Sequence, residues 1–320
     1  MSQSLLQLPA GGAVKTYLLH LCKQADAACG RLRDSADEEA LHDFRVAIRR
    51  SRTWLRAFRR YLPIDRALQK RLRKLARRTN AARDAEVSIS GLQALAGDLT
   101  PAQKIGLDWL LARFEEVRQQ AYADILHHVP QAWPPVARDL RHHLRQMPEE
   151  AKPAFTQAAF ELAASAEAEL AQELTVIGGL QDMASIHQAR IGAKRLRYLL
   201  EPFKENVHGI NEAVKRLTAL QDAMGELHDG HVLLQKLALA VDEAARLRAR
   251  KLLELTLADP AGTLHAVQRG PTEQTGLLAL ARLAALQQQQ RFAEAQSQYL
   301  GRRVRSFLGD VEPAIARLAG

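Results

Sequence analysis

The sequence predicts an all-α protein, and three observations carry that expectation. Apolar residues recur at spacings of three and four along nearly every segment, strand-like alternation and Asn-Gly hairpin turns are missing, and one basic helical pattern occurs twice. At 320 residues and 47% apolar composition the chain is long enough for two cores of ordinary domain size. Breakers divide it at Pro9 to Gly12, near Pro63, at Gly97 to Pro101, Pro130 to Pro135, Pro148 to Pro153, Gly178-Gly179, His208-Gly209, and between Asp259 and Pro271.

The elements follow in order. Helices over Lys15 to Arg31, Ala40 to Leu62, Arg66 to Thr79 and Asp84 to Ala96 form one antiparallel bundle, with an added pair after Pro101. Phe155 to Leu174, Ser185 to Val207, Asn211 to Met224 and Gly230 to Ala258 form its partner, and a long helix over Thr275 to Leu308 is placed as Ala102 to His128 is in the first half. Two tandem, pseudo-symmetric helical bundles with four-helix cores are expected, residues 1–150 and 151–320, joined without a linker long enough for independent motion.

The duplication is explicit. His42-Asp-Phe-Arg45-Val-Ala-Ile-Arg49-Arg50-Ser-Arg52 returns 145 residues later as His187-Gln-Ala-Arg190-Ile-Gly-Ala-Lys194-Arg195-Leu-Arg197. The register holds downstream, where Lys70-Arg71-Leu72, Leu75, Asp84 and Val87 fall opposite Lys215-Arg216-Leu217, Leu220, Asp229 and Val232. At about 100° per residue, Phe44, Ala47, Ile48, Ser51, Leu55, Phe58 and Leu62 make an apolar stripe. Arg45, Arg49, Arg52, Arg56 and Arg59 make a cationic ridge beside it, with His42 at its edge. In the second copy Arg190, Lys194, Arg197 and Lys204 take the ridge, and Glu201 stands where Arg56 continued the first.

Like charges at helical spacing repel by a few tenths of a kcal/mol per pair, so something must offset them. Arginine forks grip phosphate oxygens through charge-assisted bonds worth roughly 1.5 to 3 kcal/mol each, and a linear polyanion would meet a cation about every turn. Lys70, Arg73, Lys74 and Arg77 supply a second rail on the next helix. Its counterpart keeps Lys215 and Arg216 but has Thr218, Ala219 and Asp222 in place of Arg73, Lys74 and Arg77, so the second copy is expected to bind more weakly. An arginine-rich face can also be a solvated surface with carboxylate partners on its neighbours. Between His42 and Arg83, however, 15 Lys or Arg face only Asp43 and Asp65. A net charge of +9 and a pI near 9.8 favour polyanionic partners throughout.

With its paired His-x-x-Arg-x-x-x-Arg/Lys-Arg-x-Arg helices, each followed by a basic helix and then by Arg83-Asp84 or His228-Asp229, the chain resembles the CHAD family, the conserved histidine α-helical domain. The resemblance implies two pseudo-symmetric four-helix bundles enclosing a basic groove or channel. It also implies inorganic polyphosphate as ligand, for which phosphate or sulfate would stand in within a crystal, and polyphosphate granules as a location. Family binding positions carry over to His42, Arg45, Arg49, Arg52, Lys70, Arg71 and Arg83, and to His187, Arg190, Lys194, Arg197, Lys215 and Arg216. His228 departs from Arg83, and Lys194 from Arg49. The triphosphatase module that accompanies some relatives has no counterpart, because Glu167-Ala-Glu169-Leu-Ala171 lacks its lysine.

Two readings stay open for His42 and His187: phosphate donors that strengthen on protonation near neutral pH, or half-buried imidazoles bonded to a neighbouring helix. Asp84 and Asp229 either orient a nearby Arg or Lys or cap the next helix. Neither a metal nor a cofactor is expected, since His228-Asp229-Gly230-His231 lacks supporting carboxylates. No phosphate-binding Gly-rich loop, His-Glu-x-x-His helix or nucleophile with its base points to catalysis. Nucleic acid is the alternative partner, disfavoured by an aromatic content of 5%. Cys22 and Cys29 read as core residues, and with no signal peptide and no bilayer-spanning stretch the expected setting is cytoplasmic, away from membranes.

Overall fold

The computed structural model describes residues 5–34, 37, 39–62, 64–147, 153–259 and 272–319, and every structural statement below refers to these. The expected breaks at Pro63, between Pro148 and 152, and over 260–271 fall outside them. The described chain is helical: α1 (Ala10–Arg31), α2 (Glu39–Ala57), α3 (Arg66–Arg78), α4 (Asn80–Ala94), α5 (Pro101–Gln146), α6 (Phe155–Thr175), α7 (Met183–Leu200), α8 (Ile210–Ala258), α9 (Glu273–Tyr299), α10 (Arg303–Gly309) and α11 (Glu312–Ala316).

Several boundaries differ from the sequence expectation. Pro130, Pro134 and Pro135 do not break α5. An internal proline costs on the order of 3 kcal/mol, but this stretch buries Val129, Trp133, Val136 and Ala137, and Trp133 Nε1 donates to Asp26 Oδ1 at 2.9 Å. Packing therefore overrides propensity. The two helices expected over Asn211 to Ala258 are one, α8, because Gly225 and Gly230 are accommodated without a turn. The helix expected to run from Thr275 to Leu308 stops at Tyr299, and Gly301 adopts a left-handed φ of 57° before α10. Pro202 closes α7 with a 3-10 turn over Glu201–Phe203, and Asp65 caps α3 by accepting from Ala67 N. Cys22 and Cys29 are buried free thiols, and burial pushes Cys22 up to about 12.

The chain forms two compact units that cut across the repeat. One comprises Met1–Ala81, Ala121–Gly225 and Ala295–Gly320; the other comprises Ala82–Gln120 and Glu226–Glu294. The cuts after Ala81 and Gly225 fall at nearly equivalent positions, so each unit takes matching parts of both copies.

In the first unit α1 packs on α2 and α6 on α7, and the two hairpins meet through α1 with α6 and α2 with α7. Pro9 pairs with Ala154, its own repeat equivalent, through Ala10 N to Pro153 O at 2.9 Å and Phe155 N to Leu8 O at 3.1 Å. This reciprocal exchange is what a local two-fold relation between the copies requires. Beside it lies an aromatic core in which Trp54 stacks on Phe58 with centroids 4.7 Å apart, and Phe155 on Phe203 at 4.9 Å. The apolar stripe read from α2 is buried throughout, Phe44 to Leu62.

The second unit has its own core of Leu92, Leu95, Leu107, Leu110, Leu233, Leu237, Leu277 and Leu280. Within it Gly106 lets α5 and α9 touch backbone to backbone, for a Cβ there would lie 2.6 Å from Leu277 N.

Trp54 is fully buried and donates through Nε1 to Tyr198 O at 3.1 Å, tying the copies together. Replacing it with alanine should cost about 3–5 kcal/mol, measured as a shift in the chemical-denaturation midpoint. A loss below about 1 kcal/mol would contradict this placement.

Candidate cationic groove

Along α2 the ridge residues advance about 1.5 Å per position, which sets Arg49, Arg52 and Arg56 on successive turns of one face. In the first unit they line a groove of about 460 Å³, faced by Arg66, Gln69, Lys70 and Arg73 of α3, with Thr53, Leu55 and Leu72 at its floor and sides. Arg52 is half-buried. Its guanidinium is held below the ordinary arginine range first by burial and then by Arg73, Arg56 and Arg77. Among the described residues no carboxylate lies within ion-pair reach of Arg52, Arg56, Arg66, Lys70, Arg73 or Arg77. The groove is thus a concentrated positive field without an internal counter-charge.

The remaining candidates lie elsewhere. His42 and Lys74 are exposed and outside the groove lining. Arg45 donates to the backbone oxygen and the hydroxyl of Thr79, filling carbonyl valence where α3 ends. Its counterpart Arg190 meets an unbroken α8. Gly225 makes room there, since a Cβ would sit 3.2 Å from Arg190 Nε, and that Nε is buried without an acceptor among the described residues. Arg71 pairs with Asp139, and its counterpart Arg216 with Asp310 at 2.8 Å. In both copies this arginine makes an ion pair with an aspartate distant in the chain, on α5 in the first and just past the end of α10 in the second. Lys215 pairs with Glu212, and Arg83 with Glu86 in the second unit.

Asp84 and Asp229 lie within α4 and α8 rather than at helix starts, so the capping reading is corrected. Both carboxylates act on half-buried Lys236, whose Nζ donates to Ser88 Oγ at 2.6 Å and to Asp84 O at 3.2 Å; burial lowers its pKa and the two aspartates oppose this.

On α7, His187, Arg190, Lys194 and Arg197 follow the second ridge, but Arg197 bonds Glu201. The His187 imidazole is held below its ordinary value of 6.5, first by burial and then by Arg190 and Lys194. Burial and the two neighbouring cations thus disfavour its protonated form. Among the described residues no three His, Cys, Asp or Glu side chains gather as a metal site, and no helix is long and apolar enough to cross a membrane.

The sequence reading missed Arg66, Gln69 and Thr53, although Arg66 precedes Lys70 by one helical turn and so continues the second rail. It also missed the Tyr198 cluster. Arg49 Nε donates to Tyr198 Oη at 2.9 Å, and the guanidinium groups of Arg50 and Arg197 lie 5.5 and 4.8 Å from the ring centre.

The family model of the CHAD domain matches residues 16–238. A crystal structure of the CHAD domain from the plant Ricinus communis matches with a TM-score of 0.66 at 20% identity, covering 95% of this chain and 93% of that one. PptA from Streptomyces chartreusis matches with a TM-score of 0.62 at 18% identity, covering 90% and 99%. Both likenesses concern the fold. No curated protein matches the sequence.

A depressed histidine favours the folded state above its ordinary pKa and ceases to as pH falls, because the unfolded chain then binds the extra proton. Stability should fall as pH drops below 6.5, and His187→Gln should flatten this part of the melting-temperature profile. An unchanged profile in the variant would contradict the assignment.

Proposed function

This chain belongs to the CHAD domain family, and on that footing we propose that it binds inorganic polyphosphate in the α2–α3 groove as a non-enzymatic module. One observation carries the reading: Arg52 is half-buried among Arg56, Arg73 and Arg77, with no carboxylate in the groove lining. Such a cluster is destabilising alone, and an anion laid along it offsets both the repulsion and the desolvation. Guanidinium forks on successive turns suit a ligand that presents phosphate oxygens continuously along its length.

The lining disfavours the other readings. None of the lining residues is aromatic, so bases have nothing to stack on, whereas a bare phosphate chain needs nothing of the kind. Histidine and carboxylate are likewise missing from the lining, which leaves no side chain there to act as a general base at neutral pH. A groove of this character would also carry the chain to polyphosphate granules in the cytoplasm.

Competition separates the possibilities. Labelled long-chain polyphosphate should be displaced by unlabelled polyphosphate and poorly by RNA or DNA at equal phosphate. Equal displacement would overturn the specificity, and steady orthophosphate release would overturn the non-enzymatic assignment. The double variant Arg52→Gln with Arg73→Gln should lose affinity by about 100-fold, on the basis of roughly 1.5–3 kcal/mol per charge-assisted contact. Arg71→Gln, whose guanidinium is engaged by Asp139, should lose less than about threefold. Similar losses in the two variants would contradict the groove.

A further inference from the structure

We propose that Glu201 is a built-in counter-anion that closes the second cationic ridge, confining the polyanion to the first; this rests on the polyphosphate reading of the groove. In the repeat register Glu201 occupies the position of Arg56, a groove residue, and Tyr198 that of Thr53. The fold thus places a carboxylate where the first copy presents a cation to solvent.

The geometry shows what that carboxylate does. The Glu201 side chain is only 13% exposed; as ion pairs, Oε2 lies 2.9 Å from Arg50 Nη2 and Oε1 3.5 Å from Arg197 Nη1. Tyr198 sits between the copies with Arg49, Arg50 and Arg197 around its ring. One arginine of the second ridge and one from α2 are therefore satisfied from within. Their Nε groups are nonetheless buried without acceptors among the described residues, as is Arg190 Nε. Two arginines thus converge on one carboxylate, a site with more positive than negative charge. Glu201 neutralises it only in part, and a phosphate approaching that ridge must compete with a covalently tethered carboxylate at high effective concentration.

The consequence is one-sided binding, in which only the first copy reads the ligand. Glu201→Gln keeps the shape and a hydrogen-bonding oxygen while removing the charge. Titrated with long-chain polyphosphate over a range of salt, this variant should bind about tenfold tighter than wild type. The plot of log affinity against log salt should steepen by about one to two, as further phosphates are neutralised. A variant with a wild-type circular dichroism spectrum and unchanged affinity and slope would overturn the inference.

A second arm does not depend on that variant folding. Arg197→Gln in the wild-type background should change affinity by less than about twofold, whereas the groove variant Arg52→Gln should lose about tenfold. A tenfold loss from Arg197→Gln alone would mean that Arg197 already holds ligand and would likewise overturn it. If wild type fails to bind polyphosphate at all, the groove reading falls and the inference with it. Wild-type binding together with a silent Glu201→Gln removes the counter-anion alone.

Discussion

Guanidinium groups stacked along a buried helix face need anions or carbonyls opposite them, and that constraint organises this molecule. Repulsion at helical spacing is modest per pair, but partial burial removes the water that would screen it. Several arginines of the basic helices have met the requirement, each in its own way. Arg45 takes the free carbonyl where α3 ends, Arg71 and Arg216 pair with aspartates distant in the chain, and Arg50 and Arg197 share Glu201. Arg52, Arg56, Arg66, Lys70 and Arg73 have no such internal partner among the described residues. The proposed groove is what remains after these internal pairings.

Duplication explains why the remainder is unequal. The Pro9–Ala154 exchange and the matched ion pairs of Arg71 and Arg216 show equivalent residues in equivalent roles. Divergence then acted at a few positions. Where α3 ends at Arg78 and α4 begins at Asn80, the second copy runs on through Met224 and Gly225, so Arg190 loses the carbonyl that Arg45 uses. Where Arg56 extends the first ridge, Glu201 terminates the second. Small changes in helix continuity and in one charge thus distinguish the two basic surfaces.

Much of this was legible in the sequence because helical periodicity and a doubled motif are local signals. The buried stripe from Phe44 to Leu62 and the α2 ridge follow from spacing and residue type. The unbroken α5 was not legible, because its three prolines read as breakers while the compensating burial of Trp133 against Asp26 is a long-range contact. The fates of Arg45, Arg71 and Arg216 were hidden for the same reason: a ridge position shows where a cation projects but not which distant oxygen waits for it. Asp84 and Asp229 were recognised as a recurring pair, yet their common target, Lys236, has a glycine at the equivalent position of the first copy and so left no repeat signal. Tyr198 carries no signal of its role in the sequence, and only the packing of α2 on α7 reveals it as a tie between copies.

The central claim concerns where a phosphate chain lies, and a crystal structure with a short polyphosphate tests it most directly. The chain should run along Arg49, Arg52 and Arg56 with Lys70 and Arg73 opposite, leaving Glu201 paired to Arg50 and Arg197. A ligand seated along His187, Arg190, Lys194 and Arg197 instead, with the α2–α3 groove empty, would contradict the account.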